Sequence, residues 1–176
     1  MNATMPSTDD NRSKPSPHQV RVPLHIGFTG TRFGMTPSQR ANVEMLVAEL
    51  AKTSAFIFRA HHGDCVGADA EFHAIVRTHA VGFLIGHPGP DGDAHRAHCV
   101  FDEMRAPKKH IPRNQDIVDE STHMIAAPYF DLPEGDEDFT FPVHGGTFRT
   151  IAMARRADRP LAIAFRSGET WKERWP

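Results

Sequence analysis

Three glycine-bearing stretches carry residue types that hold anions: GFTGTR at 27–32, HGDCVGAD at 62–69 and GGT at 145–147. Gly27 and Gly30 let a backbone come close to an anion, Thr29 and Thr31 add hydroxyls, and Arg32 can fork onto a phosphate. Gly145, Gly146 and Thr147 open a segment of helical period, which puts their N–H groups at a helix N-terminus, where the dipole also favours negative charge. In the middle stretch Gly63 and Gly67 bracket a tight turn and bring Asp64 and Asp69 beside the start of the next helix. Either aspartate can cap that helix or bind the loop's own amides. Asp64, ahead of the capping position, is expected to meet a ribose hydroxyl or a base. Arg113 and Asn114 follow Pro112 in the first turn of another helix, where the dipole disfavours a cation unless a phosphate answers it. The alternative is an arginine that faces solvent. His87 opens a fourth turn, HPGP, at 87–90.

Twelve histidines raise a metal question. His61, His62, Asp64, Cys65, Asp69 and His73 form one group, and His95, His98 and Cys99 a second, with ligand types that suit zinc. The first group does not reproduce a closed zinc spacing, and His61 and His62 point to opposite sides if they extend a strand. No metal and no resident cofactor are expected.

These residues need a scaffold, and the texture of the chain names one. From Val20 onward short apolar runs alternate with glycine-bearing turns and helix-period segments, the pattern of a βαβ series. Strands are expected at Leu24 to Thr31, Ala55 to Ala60, the run VGFLIGHP ending at Pro88, His123 to Pro128, and Leu161 to Phe165. Thr36, Pro37 and Gln39 form a capping-box pattern ahead of a helix that buries Val43, Leu46, Val47 and Leu50. A second helix buries Ala68, Phe72, Ile75 and Val76. A third is expected after Asp93 with Ala97, Val100, Phe101 and Met104 inward, a short fourth from Pro112, and a fifth after GGT with Ile151, Ala154 and Ala157 inward. A mainly parallel sheet of about five strands with helices on both faces follows, because crossovers are right-handed. In such a sheet the ligand lies beyond the carboxyl ends of the strands, where strand order reverses, and all four turns fall there.

The polar residues 1–19 are expected to be a disordered leader, 20–168 the folded domain and 169–176 a tail in which Trp171 and Trp175, four apart, form a helical stripe. The acidic stretch from Tyr129 to Val143 reads as a rim or subunit contact. Lysine and arginine number 20 against 22 aspartates and glutamates, so no global field draws the protein to nucleic acid or an anionic membrane. Lys108, Lys109, Arg105 and Arg113 make only a modest basic patch, and nucleic acid is not an expected partner. Two cysteines and no signal-type N-terminus point to the cytoplasm, and no run is long enough to span a bilayer.

GFTGTR, HGDCVGAD, RNQDIV and GGTFRTIAMAR, in this order, resemble the SLOG superfamily. It includes the DNA-processing protein A family, the Lonely Guy phosphoribohydrolases and the stand-alone YpsA and molybdenum-cofactor-carrier group, to which the likeness is nearest. The resemblance runs from about Leu24 to Phe165. It implies a Rossmann-like three-layer α/β domain that binds a nucleotide or phosphoribosyl ligand, with the GGT turn on the phosphate, and it implies a homo-oligomer. The ligand-binding set is then Gly30, Thr31, Arg32, Gly63, Asp64, Gly67, Asp69, His87, Arg113, Asn114, Gly145, Gly146 and Thr147. In the hydrolase branch a glutamate follows the last motif and works with an arginine. Here Thr150 stands near that place, so a nucleoside monophosphate phosphoribohydrolase would need Asp64, Asp69 or Glu103 as the carboxylate and Arg113 as the arginine. The leading expectation is a sensor or carrier that binds such a ligand, and the alternative is that hydrolase.

Overall fold

The apolar stretch LHIGFTG becomes the central strand β1 (Leu24–Gly30) of a seven-stranded sheet. The structure is a computed structural model that describes residues 23–53, 58–79, 82–131 and 145–176. The leader, the start of the expected second strand and all of the acidic stretch beyond Asp131 lie outside the described residues. After β1 come α1 (Pro37–Thr53), β2 (Phe58–His62), α2 (Ala68–His79), β3 (Gly82–Gly86), β4 (Glu103–Met104), α3 (His110–Glu120), β5 (His123–Ala127), α4 (Gly146–Arg156), β6 (Leu161–Ala164) and β7 (Thr170–Glu173). The strand order is β4-β3-β2-β1-β5-β6-β7, parallel throughout except for β7. Two short strands at the edges thus join the expected five.

Both faces are covered, and so the central strands read as continuous apolar runs. Ile125 and Ala127 of β5 join Ile26, Phe28, Ala60 and Leu84 in a core under α1 and α2. Met124 and Ala126 of the same strand face the other way, into a core closed by Ile117 and Val118 of α3 and Ile151 and Ala154 of α4. Each helix presents the apolar stripe that its period requires.

The capping box at the start of α1 is formed in full: Gln39 N–H donates to Thr36 Oγ1 (3.2 Å) and Thr36 N–H to Gln39 Oε1 (3.0 Å). The fully buried Gln39 also donates Nε2 to Pro128 O (2.8 Å) and Ala164 O (3.0 Å), and so ties the carboxyl ends of β5 and β6 to α1.

The segment expected to be the third helix is extended instead. Asp102 exchanges bonds with Leu84, its N–H donating to Leu84 O (3.0 Å) and its carboxylate accepting from Leu84 N–H (2.7 Å), and Arg105 N–H reaches Gly86 O (2.8 Å). Pairing with the open edge of β3 outweighs local helical period here, since an unpaired strand edge needs partners. Val100, expected inward, is 79% exposed. Residues 170–173, expected in a helical tail, pair antiparallel with β6. Trp175 packs on the core and meets His123 edge-on at 5.6 Å, while Trp171 stays exposed.

Gln39→Ala should cost on the order of 3 kcal/mol, because two buried carbonyls and one helix-start amide lose their partner together. Urea unfolding measures this, and a loss below about 0.5 kcal/mol, the range of ordinary surface changes, would show that the amide does not hold the strand ends.

Candidate functional site

Strand order reverses between β1 and β5, and the chain leaves these neighbours toward opposite faces. The crevice that this opens is a cleft of about 560 Å³. It is lined by the loop after β1, the turn after β2, the N-terminal turns of α3 and α4, and Tyr129 and Phe130 after β5.

Of the expected ligand-binding set, Gly30, Thr31, Arg32, Gly63, Asp69, Arg113, Asn114, Gly145, Gly146 and Thr147 line the cleft. Thr147 Oγ1 donates to Gly30 O at 2.9 Å, so the two glycine turns are joined directly. Their glycines work differently. A Cβ on Gly30 would lie 2.4 Å from Ala68 Cβ, so this glycine lets β1 pack against α2. Among the described residues, a Cβ on Gly145 meets nothing within 4 Å, and one on Gly146 meets only Asn114 Nδ2 at 3.8 Å. Gly145 is the N-cap at φ 122° and offers no side-chain oxygen to the first amides of α4. Asn114 Nδ2 donates to Thr150 Oγ1 (2.8 Å), whose hydroxyl reaches Gly146 O (2.8 Å), and this bridge fixes α3 against α4. Thr150 is therefore fully engaged inside the fold.

Asp64, Gly67, His87 and Glu103 lie elsewhere. Asp64 is wholly buried at φ 56°, with its carboxylate taken by Arg96 Nε (3.0 Å) and Cys99 N–H (2.9 Å). The ribose contact expected of it is blocked, because both oxygens already serve the loop at 96–99. Gly67 shapes the turn: its φ is 84°, and a Cβ would come 2.4 Å from Arg32 O. The His87 ring is buried under α3, although its carbonyl accepts from Arg113 Nη1 at 3.0 Å. Glu103 sits on the edge strand β4, paired with Arg105, too far round the sheet to act in the cleft.

Arg113 does not face solvent, the alternative reading for it. It is 5% exposed, and Nη1 donates to both Gly63 O and His87 O. Beside it, Asp69 Oδ2 accepts from Gly63 N–H (3.1 Å) and Cys65 N–H (3.2 Å), the bonding to the loop's own amides that was one of its two readings. Burial pushes the Asp69 carboxyl up to about 6, while Arg113 and the two amides pull the other way. Burial and the Asp69 charge likewise raise the Cys65 thiol above its ordinary value. Arg32 and Arg149 are exposed at the rim and make no ion pair among the described residues. Among the described residues three arginines thus face one lining carboxylate, a field suited to an anion. In the basic patch at 105–113, Arg105 pairs with Glu120 and Glu103 and Lys108 with Asp116.

The sequence reading passed over an aromatic rim. Phe33 is 81% exposed and tilts against Tyr129 at 5.1 Å, Phe130 stands edge-on to Tyr129 at 4.7 Å, and Arg166 lies over the Tyr129 ring at 4.7 Å. Their signal was position: Phe33 directly follows GFTGTR, and Tyr129 and Phe130 directly follow β5, at the two ends that flank the reversal. Exposed aromatics in that place are suited to stacking a planar ring.

No protein-family model matches this sequence, and no curated protein does. Among solved structures, the chain is similar to the molybdenum cofactor binding protein from the phototrophic bacterium Rippkaea orientalis, at 19% identity over 82% of this chain and 77% of that one, with a TM-score of 0.59. Two structures of the molybdenum cofactor carrier protein from Chlamydomonas reinhardtii match at 17% and 19% identity, each over 81% of this chain and 76% of that one, both with a TM-score of 0.51. At these identities the likeness is one of architecture, and the chain shares with them a Rossmann-like α/β fold built on a mostly parallel sheet.

Proposed function

We propose that this protein is a carrier or sensor that holds a phosphorylated, nucleotide-like ligand in the cleft between β1 and β5. One observation carries the reading: the start of α4, which no side chain among the described residues caps and where Gly145 and Gly146 have no close neighbour among them, faces the same cleft as three arginines. Helix-start amides and the dipole receive the phosphate, Arg32 and Arg149 close on it from the rim, and Phe33, Tyr129 and Phe130 stack on the ring. Arg113 contributes charge, since its Nη1 is spent on two carbonyls. A cleft of about 560 Å³ suits a ligand of that size. The names of the neighbours put the molybdenum cofactor on the same panel as the nucleotides, and no helix among the described residues is long and apolar enough to cross a membrane.

Thermal unfolding over a panel of nucleoside phosphates, inorganic phosphate and the molybdenum cofactor tests this. A bound ligand at a hundred times its Kd adds about 2.7 kcal/mol. Gly146→Asp has room for its Cβ and places a carboxylate at a helix start, so the free protein keeps its stability while the ligand's gain disappears. Equal gains in both proteins would remove the phosphate from that turn. Phe33→Ala should weaken the ringed ligand by about 1–3 kcal/mol and leave inorganic phosphate unchanged.

A second reading, release of a base from a nucleoside monophosphate, draws support from Asp69, a cleft carboxyl pushed up to about 6. Base release followed by chromatography decides it, and no turnover on any monophosphate retires it. The same shift has a consequence for stability. The folded value lies above the unfolded one, so the folded chain holds the extra proton between about pH 4 and 6, and stability falls as pH rises through that window. In urea unfolding the difference between wild type and Asp69→Asn should move against the wild type by on the order of 2–3 kcal/mol from about pH 3.5 to 7. A flat difference would mean that Asp69 titrates as if in water.

A further inference from the structure

On the α3 side of the sheet, away from the cleft lining, His61 and His87 meet with Glu120. His61 Nδ1 lies 3.0 Å from His87 Nε2 and 3.8 Å from Glu120 Oε2, and the three ligand atoms all fall within 4.8 Å of one another. From these positions we propose that His61, His87 and Glu120 form a binding site for a divalent transition-metal cation of the zinc class.

Geometry comes first. Two nitrogens on a tetrahedral zinc at about 2.0–2.1 Å stand roughly 3.3 Å apart, so a small parting of the two rings admits the ion. Glu120 lies at the outer edge with its side chain one-third exposed, which leaves a route in and a fourth position for water. Arg105 grips both oxygens of Glu120, Nε to Oε1 (3.3 Å) and Oε2 (3.0 Å) and Nη2 to Oε2 (2.6 Å), so metal binding trades the Oε2 contacts for the ion. It can stay on Oε1 while Oε2 turns inward, the supporting contact that ligating carboxylates usually have.

Protonation agrees. His61 is wholly buried and His87 1% exposed, and burial holds both rings far below the usual histidine range, so both are neutral and ready as ligands. With Nδ1 on a metal, His61 carries its proton on Nε2, 2.9 Å from His25 Nδ1, and donates there. That outer hydrogen bond orients a metal-bound imidazole. His87 Nδ1 is buried and has no partner among the described residues, so Nε2 is the only ring nitrogen that fixes this side chain. A hydrogen bond between neutral groups is worth only about 1 kcal/mol, a weak return for burying such a ring, and a metal bond at Nε2 supplies more.

A second set, His62, His73 and Cys99, has similar spacing and opposite chemistry. Asp64 N–H donates to His62 Nδ1 (3.2 Å), which puts the proton on Nε2, and Nε2 then donates to His73 Nδ1 (3.0 Å). A metal there would have to displace that proton. Burial and Asp64 also push the Cys99 thiol up to about 12. The first set has no such backbone donor among the described residues: His61 Nε2 faces His25, and Nδ1 faces His87 and Glu120. The histidine groups that argued against a metal in the sequence are thus not the set that the sheet assembles.

The full chain, prepared without a histidine tag and stripped by chelator, should take up one equivalent of zinc in competition with a chromophoric chelator. Glu120→Gln should weaken uptake by more than about 10-fold, the lower end of what loss of a supporting group costs. His87→Gln should abolish it, and Cys99→Ser and His73→Gln should leave it intact. Cobalt in place of zinc should give visible bands without a thiolate charge-transfer band. Zinc uptake at background in the wild type would overturn the proposal. So would uptake that survives Glu120→Gln and is lost in Cys99→Ser, or a thiolate band in the cobalt protein.

Discussion

A guanidinium removed from water costs several kcal/mol unless its surroundings answer it, and the buried Arg113 sets the terms for everything near the cleft. Its Nη1 gathers the carbonyls of Gly63 and His87, which belong to the turns after β2 and β3, while the arginine itself comes from α3. Asp69 at the start of α2 supplies the opposing charge and is held in place by two amides of the same turn. Three elements, α3 and the turns after β2 and β3, are therefore cross-tied by one side chain. The position of Gly63 shows how tight the fit is, since a Cβ there would lie 1.7 Å from Arg113 Nη1. A glycine that looks like a phosphate turn in the sequence is here the seat of a buried cation.

This division of labour decides what the cleft can offer. Under the proposed reading Arg113 acts on the ligand chiefly through its field, strengthened because few water molecules screen it, with Nη1 spent on two carbonyls and Nε buried without a partner among the described residues. Direct contact then falls mainly to the first amides of α4 and the rim side chains Arg32 and Arg149. Asp69, tied at Oδ2 and facing Arg113, is similarly placed to balance charge more than to strip a proton from water. These features are what the proposed reading, an anion held in a fixed pose, draws on.

The parallel core was legible because burial on both faces leaves apolar runs, and the helix starts because Thr36, Gln39 and the paired glycines have local signatures. The turns that line the cleft followed from the strand-end rule. What failed had a tertiary cause in each case. The segment around Phe101 has helical period, but the open edge of β3 took it as a strand, and β6 did the same with the residues around Trp171. Asp64 looked like a ribose ligand because its sequence position is right, and nothing local reveals that Arg96 and Cys99 would arrive to consume it. The aromatic rim was missed for the opposite reason, since no motif marks it and only the reversal of strand order brings Phe33 to Tyr129.

The same logic explains why His61 and His62, adjacent in sequence, belong to different networks. Alternation along β2 sends His62 toward α2, where Phe72 and His73 receive it, and His61 toward α3, where His25 and His87 do. The second network is continuous with the cleft through a single residue. The His87 ring faces His61, and the His87 carbonyl holds Arg113. Whatever fixes that ring also fixes the carbonyl, and with it the cation whose field fills the cleft. A cation bound between His61 and His87 would therefore bear on the proposed ligand without touching it, by holding rigid the arginine that ties α3 to the turns after β2 and β3.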